Sequence, residues 1–417
     1  TESSSFSEQA SESNFSMRGI EKLPEYSEII SHWNINSYSY EYCFRTDIHD
    51  GLFMYLDPPY DIKDNLYGKS GSMHKSFDHD KFAADCDEDI AICLWTKKVS
   101  IVKTQNITAS AVKLSDKFYV TNKHVVEDNL FVTLFDIKGS FLKAKVLQNN
   151  HPADLVILSV DNKNNYKQTI SLYEVTKNYN GLRSIAFGIG RQTIRIFPKG
   201  KLISIPSSNF KQARIHSTIK NLPGISGGAL INKKGQLVGI LSSGSGNYNE
   251  AIPVDILNEV IKSTNRKENI YNDRYVNIRI CAQAIEIMKK NINQLSQFDL
   301  INAENACNLA NLKTFYDILG QIYGNFGDFK KSLLFLKKSS KLDPESPTSL
   351  ISLAVAYQFN RDFKNQAIVL KKLIKLIPQD VLVLRMAIQS AAFSDDIDFA
   401  RKSLILIKKY NNRAFNQ

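Results

Sequence analysis

Three side chains of complementary chemistry stand in three short strings: His124 in TNKHVV (121–126), Asp154 in ADLVIL (153–158) and Ser226 in GISGGAL (224–230). A serine hydroxyl is a weak nucleophile until an imidazole takes its proton. The imidazole in turn needs a buried carboxylate to fix its tautomer and stabilise its charged form. Taken singly, each residue has a plainer explanation: a packed histidine, a capping aspartate, a serine in a glycine-rich loop. Together, in the order His, Asp, Ser, they form a candidate catalytic triad for peptide-bond cleavage.

The flanking residues supply elements that can position them. FYVT (118–121) is a β-rich run ending just before His124, and DLVILSV (154–160) is a β-branched apolar run that reads as a buried strand with Asp154 at its start. After Ser226, GGALINKKGQLVGILSSG has two apolar runs joined by a Lys-Lys-Gly turn, which predicts a hairpin. Thirty residues separate His124 from Asp154, and 72 separate Asp154 from Ser226, enough for each triad half to rest on its own β-barrel.

On these motifs, residues 92–263 resemble the trypsin-like serine peptidases, nearest their HtrA (Deg) and glutamyl endopeptidase branches. The resemblance implies an all-β, chymotrypsin-like double β-barrel over about 90–263. It also implies that the Gly224 and Ser226 amides form the oxyanion hole, and that Ser242, Ser243 and Gly244 in GILSSG (239–244) bind the substrate backbone. NEAIPVDIL (249–257) resembles the closing HtrA segment before its last helix. Ile225 stands where these relatives have Asn or Asp, and ASAV (109–112) where they have Gly-Ser-Gly. Lys220, six positions before Ser226, lies near where this fold lines its primary pocket. Either it favours acidic substrate side chains, as the glutamyl endopeptidase resemblance implies, or it points to solvent.

The C-terminal part carries a repeat. Leu319 and Leu353, Tyr323 and Tyr357, Asp328 and Asp362, Phe329 and Phe363, and Pro344 and Pro378 are each 34 residues apart. That period is the signature of tetratricopeptide helix pairs. Units at 316–344 and 350–378 are expected, with a degenerate third at 381–410 and capping helices over about 273–310. The all-α solenoid is placed at 273–412. HtrA proteins usually carry peptide-binding PDZ modules here, so the array is expected to be an arm that docks protein substrates or a regulator.

The segment GLFMYLDPPYDIKDNLYGKSGSMHKSFDHDKFA (51–83) resembles the second half of Dam-type DNA adenine methyltransferases. In that family the motif matched by Asp57, Pro58, Pro59 and Tyr60 receives a flipped adenine. Only Gly19 and Gly51 precede it, so no glycine-rich loop for S-adenosylmethionine is available. Residues 20–88 are therefore read as an incomplete α/β methyltransferase-like fragment after a Ser/Glu-rich, disordered leader at 1–19, and methyl transfer by this chain is not expected.

The net charge of +11 arises mostly near the C-terminus, where residues 313–417 hold 17 Lys plus Arg against 9 Asp plus Glu. A solvated helical surface explains that surplus. A nucleic-acid partner is compatible with it, but no nucleic-acid motif calls for one. Neither a metal nor a cofactor is required by the triad chemistry. No apolar run is long enough to span a membrane, and none resembles a signal peptide. Cys43, Cys86, Cys93, Cys281 and Cys307 are odd in number and scattered, which points to reduced thiols in the cytoplasm. The reading is a serine endopeptidase acting on polypeptides. Its rivals are a non-catalytic scaffold of the same architecture and a DNA- or methyltransferase-associated protein using the N-terminal fragment.

Overall fold

The computed structural model describes Trp95 and residues 98–160, 179–264 and 273–415, apart from short loop pieces within those spans. The leader, the methyltransferase-like segment with Asp57 to Tyr60, and Lys220 lie outside the described residues.

Strands β1 (Val99–Lys103), β2 (Thr108–Lys113), β3 (Phe118–Thr121), β4 (Phe131–Phe135), β5 (Phe141–Leu147) and β6 (Val156–Ser159) close into a barrel in the order β1-β2-β3-β6-β5-β4. A one-turn helix, α1 (Lys123–Val126), follows β3. β3 and β6 are buried along their whole length. Continuous apolar runs rather than alternating ones suit strands covered on both faces. β3 and β6 are also antiparallel neighbours, with Thr121 opposite Val156. The chain just after β3 and just before β6 therefore emerges at one end of the barrel, which brings His124 to Asp154.

The second half is a seven-stranded antiparallel sheet built from β7 (Arg183–Phe187), β8 (Ile194–Ile196), β9 (Leu202–Ser204), β10 (Ile215–Ser217), β11 (Ala229–Ile231), β12 (Leu237–Ser245) and β13 (Tyr248–Pro253). Its order is β8-β7-β11-β12-β13-β10-β9. β11 and β12 form the hairpin expected after Ser226, with Ala229 opposite Ile240. A single apolar cluster runs from Val99, Val120 and Ile157 of the first half to Ile185 and Ile240 of the second. It continues into Leu257 and Val260 of helix α2 (Val254–Thr264). Two β-halves sharing one core hold the residues at their junction rigidly.

The rest is helical. Helices α3 (Asp273–Asn291) and α4 (Gln297–Ala310) lead into three further pairs: α5 (Lys313–Asn325) with α6 (Phe329–Leu342), α7 (Pro347–Phe359) with α8 (Phe363–Leu376), and α9 (Val381–Phe393) with α10 (Ile397–Tyr410). The first helices of these pairs begin at 313, 347 and 381, steps of 34. The repeated aspartates have a local cause. Asp328, Asp362 and Asp396 are the N-caps of α6, α8 and α10, each accepting a hydrogen bond from the amide three residues on. Gly320 lets α5 and α6 approach closely, because a Cβ there would come within 2.4 Å of Leu336 Cγ.

One expectation is corrected. Cys281 and Cys307 are joined by a disulfide, not held as free thiols. They lie on the buried faces of α3 and α4, so packing of the helix hairpin brings together cysteines 26 residues apart that match no short cysteine motif. The thiol argument for a cytoplasmic location falls with it, since disulfides persist chiefly in oxidising compartments. No helix among the described residues is long and apolar enough to cross a membrane.

The array is also not a loosely joined arm. Lys313, at the start of α5, is fully buried against the second sheet. Its ammonium lies 2.6 Å from Glu250 Oε1, 2.9 Å from Asp317 Oδ2 and 3.9 Å from Asp343 Oδ2. His216 of β10 pairs with Asp343 at 3.0 Å, and Tyr248 of β13 donates to Asp380 at 2.6 Å. Burial alone would strip the proton from Lys313, but Asp317, Glu250 and Asp343 outweigh it and raise its proton affinity above that of an ordinary lysine. His216, Glu250 and Asp343 are close enough to share a metal ion, yet the Lys313 ammonium already supplies positive charge there. Removing that ammonium leaves buried carboxylates facing one another. Lys313→Met is expected to destabilise the fold by ~3–5 kcal/mol in urea unfolding. A loss below about 1 kcal/mol would show that the cluster does not hold the junction together.

Candidate active site

Asp154 is completely buried two residues before β6, and its carboxylate is wired to the turn that carries His124. Oδ2 lies 2.6 Å from His124 Nδ1, and Oδ1 accepts the His124 backbone N–H at 3.1 Å. Asn122 secures the same stretch, donating from Nδ2 to the Asp154 carbonyl at 2.9 Å. Burial would raise the Asp154 pKa, but the His124 charge and hydrogen bonds, aided by Arg214, hold it down at about 2. An ionised carboxylate can only accept, so Nδ1 carries the imidazole proton and Nε2 is left to act as a base. His124 is 20% exposed where Asp154 is 0%, so the ring faces outward from a buried anchor.

Ser226 comes from the second half. Its loop is fastened to the first barrel where the Ser110 N–H donates to Ser226 O at 2.8 Å and Ser110 Oγ donates to Gly224 O at 3.1 Å. The fastening needs glycine: Gly227 has φ +83°, and a Cβ there would come within 1.9 Å of Ser110 O. Ile225 is buried among Ala186, Ile215, Ile219 and Leu230. The loop is thus anchored by apolar packing at the residue just before Ser226. Among the described residues, neither the Gly224 nor the Ser226 amide N–H has a backbone acceptor, whereas Ile225, Gly227 and Gly228 all do. Those two amides remain available to a ligand.

The three side chains are not linked in one chain of hydrogen bonds. Ser226 Oγ donates to the Ser242 carbonyl at 2.8 Å instead of to His124 Nε2. Ser242 itself joins both halves, because its Oγ donates to Asp154 Oδ2 at 3.2 Å. Ser243 Oγ donates to Glu250 Oε2 at 2.8 Å, and Gly244 pairs with Asn249 across β12–β13. β11 pairs with β12 only as far as Ile240, so the opposite edge of 242–245 meets no strand among the described residues. An extended peptide can add there as another strand.

Several participants left no trace in the motifs. Arg214 is fully buried and lowers the pKa of both Asp154 and Glu250 by its charge. Glu127, just past α1, has its pKa raised to about 7 by burial and by Asp128, against the pull of Arg279 and His124. Sequence reasoning could have flagged Lys123, a cation inside TNKHVV. It is fully buried, and burial with the neighbouring Arg274 charge drives its pKa well below that of an ordinary lysine.

Comparisons with known proteins agree with this architecture. Residues 109–240 match the trypsin-like peptidase domain family and residues 314–346 the tetratricopeptide repeat. Residues 3–133 match the D12 class N6 adenine-specific DNA methyltransferases, although the shared stretch 109–133 runs through β2, β3 and α1 into β4 of the barrel. A serine protease Do-like HtrA of Lactobacillus helveticus is 33% identical over 167 residues, covering 35% of this chain and 40% of that protein. A probable periplasmic serine endoprotease, DegP-like, of Pseudomonas putida is 31% identical, covering 38% and 35%. The serine endoprotease DegS of Haemophilus influenzae is 28% identical, covering 40% and 52%. The chain thus spans about a third to a half of the length of the curated relatives it matches. The crystal structure of a serine endoprotease from Yersinia pestis aligns with TM-score 0.36 at 22% identity, covering 43% of this chain and 67% of that one. The chain is therefore similar over residues 109–240 to trypsin-like peptidase domains, as found in HtrA and Deg serine proteases, and over residues 314–346 to a tetratricopeptide repeat.

The Asp154 carboxylate has a lower pKa folded than its ordinary value of 3.8, so its stabilising contribution is complete above the unfolded value. That contribution disappears as pH falls through about 2. In urea unfolding, the stability advantage of wild type over Asp154→Asn should shrink by on the order of 2 kcal/mol between about pH 5 and pH 2. An advantage that stays constant or grows on acidification contradicts the assigned ionisation.

Proposed function

We propose that the protein is a serine endopeptidase in which Ser226 is the nucleophile, His124 the general base and acid, and Asp154 the residue that orients and charges the imidazole. The observation that carries this reading is the 2.6 Å bond from His124 Nδ1 to the ionised, buried Asp154, to which Ser226 is linked through Ser242. In the reaction, Ser226 Oγ rotates away from Ser242 O, gives its proton to His124 Nε2 and attacks the scissile carbonyl. The Gly224 and Ser226 amides receive the developing oxyanion. His124 then protonates the leaving amine, and water repeats the sequence in reverse to release the acyl group. Resting-state hydrogen bonds in such sites often align only when substrate binds, which accommodates the Ser226 rotation. Substrate lies as an extended strand along the open edge at Ser242, Ser243 and Gly244, and a peptide library decides whether Lys220 favours an acidic side chain before the scissile bond or points to solvent. The helical array adds a protein-docking surface beside the peptidase domain.

A second reading has one observation in its favour: the Ser226 hydroxyl is held by Ser242 O rather than by His124, as in a non-catalytic scaffold. Proteolysis assays of the full chain separate the two. Wild type should cleave an unfolded protein substrate, Ser226→Ala should abolish cleavage, and Asp154→Asn should lower kcat by ~10⁴-fold. Equal turnover by wild type and Ser226→Ala would remove the enzymatic reading.

A further inference from the structure

Helix α3 grips both loops that carry the candidate acid and base. Arg274 in its first turn donates from Nη1 to His151 O at 2.8 Å and from Nη2 to Pro152 O at 2.9 Å, the two carbonyls just ahead of Ala153 and Asp154. Its Nε donates to Ala310 O at the end of α4 at 2.8 Å, so the guanidinium is also fixed from the helical side. The next residue, Tyr275, is fully buried, and its hydroxyl accepts the Asn149 N–H at 3.2 Å. Lys123, beside His124, donates to His151 O from a position 5.7 Å from the centre of the Tyr275 ring. Further along α3, Arg279 Nε pairs with Asp128 at 2.8 Å, just beyond α1.

The chain from 149 to 152 is thus held from the helical side at its start and its end. A guanidinium offers several donors in one rigid plane, so it fixes two successive carbonyls in a way a single ammonium cannot. The carboxylate needs such support, because displacing a catalytic group by about 1 Å can cost ~10²-fold in rate.

We propose that Arg274 is a positioning residue for the reaction: it acts through the 151–154 loop to hold Asp154 on His124, and thereby makes α3 part of the active-site scaffold. The inference rests on the endopeptidase reading of the same site. In the full-length chain, Arg274→Ala should lower kcat for a small peptide ester by ~10–100-fold, while KM changes less than about threefold. Arg274→Lys should recover part of the loss. A second readout needs no turnover. The proton shared by His124 Nδ1 and Asp154 should give a strongly deshielded NMR signal that is present in wild type and weakened or lost in Arg274→Ala. Melting curves establish that each variant is folded at the assay temperature. If Arg274→Ala does not fold, Arg274→Lys and Tyr275→Phe carry the test, each expected to reduce kcat and weaken the signal. Folded variants with wild-type kcat and an unaltered signal overturn the proposal, as does a loss confined to KM. Wild type that turns over the ester no faster than Ser226→Ala counts against the endopeptidase reading instead, and the NMR signal still decides the role of Arg274.

Discussion

The arrangement depends on one buried charge. Asp154 is wholly excluded from solvent and remains ionised because His124 and its backbone amide face it. An unpaired carboxylate in that position would cost several kcal/mol. The surrounding structure can therefore be understood as what keeps the pair together. β3 and β6 deliver the two chain ends to one side of the barrel, Asn122 ties the turn to the acid, and Ser242 brings the second sheet to the same carboxylate. The Ser226 loop is fastened independently, by Ser110 on one side and the buried Ile225 on the other.

A second buried charge, Lys313, binds the helical array to the peptidase domain. It pairs with Glu250 on β13, and Glu250 accepts from Ser243 on β12, next to the Ser242 that contacts both Asp154 and Ser226. Array and strand β12 thus share one hydrogen-bonded network in a region of low dielectric, where breaking any member is costly. Together with the hold of α3 on the loop at 149–152, this makes the helices a structural continuation of the peptidase domain.

Much of the local architecture was legible in the chain. FYVT ends in a strand before His124, GGAL and QLVGIL form the hairpin, and the 34-residue period sets the starts of α5, α7 and α9, because each depends on short-range pattern and capping. Long-range pairing was not legible. Nothing in the composition says that Lys313 meets Glu250 63 residues away, or that Arg274 reaches the carbonyl of His151 across 123 residues. The disulfide is hidden from the sequence for the same reason: Cys281 and Cys307 are scattered along the chain and become neighbours only when α3 packs on α4. Nor does the motif GILSSG announce that the Ser242 side chain donates to Asp154, 88 residues away.

The central claim is that Ser226 is an activated nucleophile. The direct measurement is mass spectrometry of the full chain after exposure to a fluorophosphonate probe, with the modified residue mapped by fragmentation. A single adduct on Ser226, absent in His124→Ala, is the predicted result. An unmodified chain, or modification that persists unchanged without His124, contradicts it.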